Sequence, residues 1–203
     1  METVKKTITA KLVAELRART GAGMMDCKKA LEEAEGDIDK AADLLRVKYA
    51  AKADKRAERA AGEGLIEAYI HFTGKVGVLV ELNCETDFVA RTDEFRQLAK
   101  DVALQIASAR PMVVRITELP ADVVERERRI FEAQMVEQKK PETIRGKIVE
   151  GMLKKFYEET VLLEQKFIKD DTVTIGDMVR AYAGKTGEKV EVRRFARFEL
   201  GGA

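Results

Sequence analysis

Val76-Gly77-Val78-Leu79-Val80-Glu81-Leu82 runs straight into Asn83-Cys84-Glu85-Thr86-Asp87-Phe88-Val89-Ala90-Arg91, and the reading of this junction decides the fold. The first seven residues alternate and are rich in Val and Leu, the composition and period of a half-buried strand. At Asn83 the alternation stops at a polar corner. Thr86 is placed to cap a helix start, its hydroxyl accepting from an N–H two or three residues on. Asp87 then falls in the first turn, where the helix dipole favours a negative charge by about 0.3–1 kcal/mol. Capping accounts for Thr86 and Asp87 and leaves Phe88 without a reason. A large aromatic at a corner either tucks beneath it or is offered to a partner pocket as a rigid anchor; the residues alone leave both readings open. A second start signal, Thr92-Asp93-Glu94, makes 86–91 a separate single turn ahead of a longer helix.

Working outward, Ile66, Ala68, Ile70 and Phe72 alternate with Leu65, Glu67, Tyr69 and His71. Thr73-Gly74-Lys75 joins this run to the strand at Val76, which predicts a β-hairpin. Downstream, Phe95, Leu98, Ala99, Val102 and Ile106 mark one face of an amphipathic helix that closes before Pro111. Met112 to Ile116 reads as a third strand. Residues 121–168 read as helical, with Val123, Val124, Ile130, Phe131 and Met135 before Lys140-Pro141, and Ile144, Ile148, Leu153 and Phe156 after it. Pro141 fits the first turn of the second helix, where its missing N–H costs nothing, so the pair forms a helical hairpin. A last short helix (Ile175, Met178, Val179, Tyr182) leads through Gly184-Lys185-Thr186-Gly187 to a strand at about 189–200. In that strand Arg194 shares the parity of Val190, Val192, Ala196, Phe198 and Leu200; a bulge or an acidic partner would account for it.

Ahead of the hairpin the period is helical throughout. Ile8, Leu12, Val13 and Leu16 form one stripe, closed by Gly21-Ala22-Gly23; Met24, Cys27, Leu31 and Ala34 form a second, closed by Gly36-Asp37; Ile38, Ala41, Ala42 and Leu45 form a third. From Ala50 to Ala61 the stripe narrows to Ala among Lys and Arg, the pattern of a solvated helical linker. The expected fold is therefore α+β: a three-helix domain over 1–53, a helical linker over 54–64, and a core over 65–203. That core carries a small, mainly antiparallel sheet packed on helices, the helical hairpin at about 121–168 and the strand at about 189–200.

With 203 residues, 45% of them hydrophobic, the chain can bury a real core. Its 37 basic and 36 acidic residues nearly cancel and are interspersed, which argues against a surface that grips nucleic-acid phosphates. No apolar run is long enough for a membrane span, and Met1-Glu2-Thr3-Val4-Lys5-Lys6 is followed by no apolar leader segment. Two cysteines, Cys27 and Cys84, are too few for a disulfide framework. These features predict a cytoplasmic protein. One Asn and five Gln beside 36% charged residues is the skew of heat-adapted chains, though loop prolines are scarce.

Catalytic and metal-binding patterns are missing. The single histidine, His71, sits in no nucleophile motif, although a pairing with Cys84 is conceivable on sequence alone. Two cysteines and one histidine do not make a zinc site. Gly184-Lys185-Thr186 resembles the end of a phosphate-binding loop, but Val179 occupies the required first glycine, and the order is helix, loop, strand rather than strand, loop, helix. It is better read as a helix end. Of the basic clusters, Lys48–Arg59 reads as a solvated helix face. No cofactor and no metal are expected.

Two segments carry a family resemblance. Thr20-Gly-Ala-Gly-Met-Met-Asp-Cys-Lys-Lys-Ala-Leu31 and Glu81-Leu-Asn-Cys-Glu-Thr-Asp-Phe-Val-Ala90 resemble the two signature stretches of the elongation factor Ts family. The similarity continues through Lys147-Ile-Val-Glu-Gly151, Leu163-Glu-Gln165 and Phe195-Ala-Arg-Phe198. The resemblance implies a guanine-nucleotide exchange factor without bond chemistry of its own, whose partner is elongation factor Tu in its GDP-bound and nucleotide-free states. It implies a ubiquitin-associated-like N-terminal domain touching the GTPase through Met24, Met25 and Lys28. It places the stretch Thr86, Asp87, Phe88 and Val89 at the exchange site, with Asp87 and Phe88 inserted between two GTPase helices so that the Mg²⁺ and phosphate loops are disturbed. His71 would lie at the same interface. The chain is short for the family, with one core half where longer members have two, which implies a homodimer; no cysteine beyond Cys84 could cross-link it. Lys166 and Met152 stand where the family usually has Pro and Arg. The rival readings are a binder of ubiquitin-like domains, a structural dimer without exchange activity, and a hydrolase built on Cys84 and His71.

Overall fold

The computed structural model describes residues 8–202; the first seven residues of the expected N-terminal domain, and residue 203, lie outside the described residues. The chain divides into two compact units, one of residues 8–64, 83–90 and 179–191, the other of 65–82, 91–178 and 192–202. The first stretch of the first unit ends at Gly64, and the polar corner and the segment around Glu188 group with its helices.

In the first unit three helices, α1 (Ala10–Thr20), α2 (Met24–Glu33) and α3 (Ile38–Asp54), share one apolar core. Each boundary has a chemical cause. Thr9 accepts the Leu12 N–H at 3.3 Å, Gly21 ends α1 in the left-handed region at φ 65°, and the Asp37 carboxylate accepts the Asp39 and Lys40 N–H groups. Leu16, Leu31 and Leu45 are fully buried beside Cys27, Ala30 and Ala41, and each leucine contributes about 1.5–3 kcal/mol. Tyr49 ties the bundle to its own first corner. Its phenol accepts the Gly23 N–H at 3.3 Å and donates to Asp26 at 3.2 Å. The far side of Tyr49 meets Gly184, where an added Cβ would stand 2.7 Å from the Tyr49 Cα, so only glycine fits that approach. The expected helical linker is not continuous. α3 ends at Asp54, residues 55–59 are turns (Arg56 N–H to Ala53 O, Arg59 N–H to Arg56 O), and strand β1 opens at Glu63.

The second unit holds most of a three-stranded sheet in the order β1 (Glu63–Ile70), β2 (Val76–Cys84), β5 (Val190–Glu199). His71 donates to Val76 O at 2.9 Å across the hairpin, with Gly74 at φ 66° in the turn. Leu200 donates to Lys75 O at 2.8 Å and Arg194 pairs with Glu81 at 2.6 Å, so β5 runs antiparallel to β2. Arg194 has an acidic partner, but not on the buried side. Burial alternates through Val190 and Val192 and breaks at Arg193 and Arg194, which are both exposed. Ala196, Phe198 and Leu200 are left outward, so they do not share one apolar face with Val190 and Val192. Val78, Val80 and Leu82 are buried on one face of β2. Helix α5 (Asp93–Ala109) buries Phe95, Leu98, Ala99, Val102, Ala103 and Ile106, and Arg197 of β5 donates to the Ala107 carbonyl in its last turn. Thr92 caps α5 by accepting the Phe95 N–H at 3.2 Å.

The third strand expected at Met112–Ile116 is absent. Only Val113 makes a bridge, parallel to Val161, and Ile116–Glu118 is a single 3₁₀ turn. Glu118 explains the difference: its carboxylate accepts the Val114 and Arg115 N–H groups and pairs with the Arg115 side chain at 2.9 Å. A local side chain thereby takes the donors a strand ladder would need. The helical hairpin is α6 (Ala121–Glu137) with α7 (Glu142–Thr160), packed through Met135, Val149 and Leu153. Pro141 stands one position earlier than expected, as the N-cap. Met152 packs on this core, which gives the unexpected methionine an apolar role. Residues 161–168 are not helical: they form a 3₁₀ turn and β3 (Lys166–Phe167), paired with β4 (Asp170–Thr174). Two buried glutamines hold this region. Gln105 donates to Gln165 and to Lys166 O, and Gln165 donates to the Ala109 and Glu159 carbonyls. Helix α8 (Ile175–Thr186) follows, its last turn made by Gly184-Lys185-Thr186, with the Thr186 hydroxyl donating to Tyr182 O at 3.0 Å.

Candidate functional site

The corner after β2 is a four-residue helix, α4 (Asp87–Ala90), separate from α5. Thr86 caps it: its carbonyl accepts the Ala90 N–H at 3.2 Å and its hydroxyl the Val89 N–H at 3.4 Å. Ala90 is buried and Val89 and Asp87 are half-buried, so three sides of the turn face the body. Phe88 does not. It is 81% exposed, and the ring is not tucked beneath the corner.

The corner itself is tightly held. Glu188 accepts the Glu85 and Thr86 N–H groups, both at 3.1 Å, and the Thr86 hydroxyl at 2.6 Å. In return Glu85 accepts the Lys189 N–H and the Arg59 guanidinium, and Asn83 donates to Ala61 O at 3.2 Å. Cys84 is buried and donates its thiol to Thr86 O at 3.1 Å. Burial first, and the Glu188 charge second, push that thiol up to about 11, so it stays protonated at neutral pH and is no nucleophile.

Met24 and Met25 open α2 and are 60% and 65% exposed, and Lys28 is exposed one turn on. The corner presenting them is braced by Asp26, which accepts from Lys48 at 2.7 Å, from Tyr49, and from Lys52 at 3.5 Å. The Lys48 hydrogen bond is the largest cause holding the Asp26 carboxyl below its usual range.

In the other unit His71 is half-buried at the hairpin turn, its Nδ1 3.0 Å from the Tyr69 phenol and its ring 4.4 Å from that of Phe72. Phe72 is 91% exposed and was not singled out by the sequence; its place beside the hairpin turn was the available signal. A second feature also went unread. Ile66, Ile70, Leu79 and Phe198 are all exposed. A Cβ on Gly77 would touch the Ile70 Cδ1, and Glu81 pairs with Arg194, so alternation puts these four side chains on one sheet face. Near-unbroken apolar composition on both parities of β1 and β2 was the signal.

The chain matches the family described as Elongation factor TS over residues 4–202. It is 55% identical to the elongation factor Ts of Carboxydothermus hydrogenoformans, covering 96% of this chain and 89% of that one. Against that of Desulfosudis oleivorans the identity is 52%, covering 96% and 98%. Against that of Thermotoga maritima it is 53%, covering 96% of each. With the capped, exposed Phe88 turn in place and the family match spanning nearly every residue, the chain belongs to the elongation factor Ts family.

Proposed function

We propose that this protein accelerates GDP release from elongation factor Tu by inserting Asp87 and Phe88 into its GTPase domain, which disturbs the Mg²⁺ and phosphate site. Family membership implies nucleotide exchange in translation elongation, without bond chemistry of its own. The observation that carries the insertion reading is the exposure of Phe88, 81% on a turn whose other residues are anchored. An aromatic ring held on a rigid support loses little freedom when it fills a pocket. The exchanger must bind the nucleotide-free GTPase better than the loaded one; by linkage the same factor weakens nucleotide binding. Met24, Met25 and Lys28 would supply a second contact that holds the partner, and His71 a further one. Thr86 and Val89 support the turn. The expected site of action is the cytoplasm; among the described residues no helix is long and apolar enough to cross a membrane.

The protein is further proposed to act as a homodimer. Ile66, Ile70, Leu79 and Phe198 make an apolar sheet face open to solvent, and a second copy of the same face covers it as one sheet packs on another. Labelled GDP release from elongation factor Tu, with and without this protein, tests the exchange function. Unchanged release would leave the structural-dimer or ubiquitin-like-domain readings standing and remove this one.

A further inference from the structure

The turn that carries Phe88 is gripped by a residue some hundred positions further along the chain. One carboxylate oxygen of Glu188 accepts the N–H groups of Glu85 and Thr86, and the other accepts the Thr86 hydroxyl at 2.6 Å. Three donors converging on one side chain call for a group that only accepts, which an ionised carboxylate is. The third bond matters most for geometry. Thr86 gives its single hydroxyl proton to Glu188, so the oxygen's lone pairs are left for the Val89 N–H inside α4. Glu188 thus fixes the hydroxyl in the orientation that caps the turn, and Glu85 returns the contact by accepting the Lys189 N–H.

We propose that Glu188 is the positioning residue of the exchange turn: its carboxylate sets the direction in which α4 presents Phe88 to the GTPase. This rests on the insertion reading above. Glu188 itself is half-buried behind the corner and acts through Thr86, not by touching the partner's nucleotide. Without it, two backbone N–H groups and one hydroxyl must find water, and the Thr86 rotor is free to turn its proton toward the Val89 N–H.

The test is labelled GDP release from elongation factor Tu over a range of exchanger concentrations, for the full-length wild type, E188A, E188Q, F88A and the E188A/F88A double variant. Glu188→Ala is expected to lower the saturating release rate about tenfold while the half-saturating concentration stays within about twofold, since Met24 and Met25 are untouched. Glu188→Gln keeps one oxygen for the two N–H groups and is expected to lose only about threefold; it replaces the alanine variant should that one not fold. In the F88A background the Glu188 substitution is expected to cost nothing further. If it slows release by the same factor there, Glu188 does not act through Phe88 and the proposal falls. If F88A is slow but E188A and E188Q exchange at the wild-type rate, the proposal falls while the insertion reading stands. If F88A itself exchanges normally, the insertion reading fails and takes this one with it.

Discussion

Replacing Phe88 with alanine removes the ring and leaves the anchored turn. A phenylalanine side chain can bury ~200 Å², and with 81% of it exposed in the free protein about 160 Å² remains for a partner pocket. An alanine methyl still covers roughly a third of that area. The difference, ~110 Å² at ~25 cal/mol per Å², is about 2.7 kcal/mol, or about a hundredfold in the rate of a step that needs the ring in its pocket. The free protein should hardly notice, because an exposed side chain contributes within about 0.5 kcal/mol of stability and shifts Tm by about 2 °C or less. Stopped-flow release of fluorescent GDP from elongation factor Tu, beside a thermal melt of each variant, reads both quantities. Release within about twofold of wild type would refute the insertion argument. A large fall in Tm with unchanged exchange per folded molecule would show that the ring supports the fold instead.

Other consequences are open to direct measurement. Asp26→Asn removes the carboxylate that braces the Met24–Met25 corner, and should destabilise the three-helix bundle by about 1–2 kcal/mol at neutral pH in a denaturant melt. The Asp26 carboxyl is held below its ordinary value in the folded chain, so this stabilisation is complete above the unfolded carboxylate range and fades as pH falls through the lower folded value. The difference between variant and wild type should shrink accordingly in acid. Burial raises both thiols, Cys84 to about 11, so an aromatic disulfide reagent at pH 7.5 should label neither cysteine until denaturant is added; prompt labelling of the native protein would contradict the packed corner. If the proposed homodimer forms through the open sheet face, Ile70→Asp places a charge in it. Sedimentation should then report a monomer for the variant and a dimer for the wild type, with the melt of each protomer little changed; a monomeric wild type would remove the dimer proposal.

Much of this architecture was readable from residues because its causes are local. Thr86 and Thr92 announce two successive helix starts, and the structure has α4 and α5 there. The hairpin turn at Gly74 and the caps at Gly21 and Asp37 were legible for the same reason. What escaped depends on distant or competing groups. Glu118 turns the expected strand at Met112–Ile116 into a 3₁₀ turn, an outcome that alternation cannot foresee. β3 is two residues long, too short to show a period. Strict alternation puts Arg194 on the side of Val190 and Val192, but the burial pattern breaks at Arg193-Arg194 and leaves it exposed beside Glu81 of another strand. For the candidate site, the capping pattern gave Thr86 and Asp87, while the direction of Phe88 depends on how the folded chain packs around the turn. Glu188 was invisible altogether, since nothing in a run of residues tells that a carboxylate will fold back onto an N–H more than a hundred positions earlier.

The proposed role of this chain is to drive nucleotide release through contact with a GTPase. Elongation factor Tu loaded with labelled GDP, chased with excess unlabelled nucleotide, tests it most directly. Adding the wild-type protein is expected to accelerate label loss in a saturable manner. A rate that stays at the spontaneous value at every concentration of added protein would contradict it.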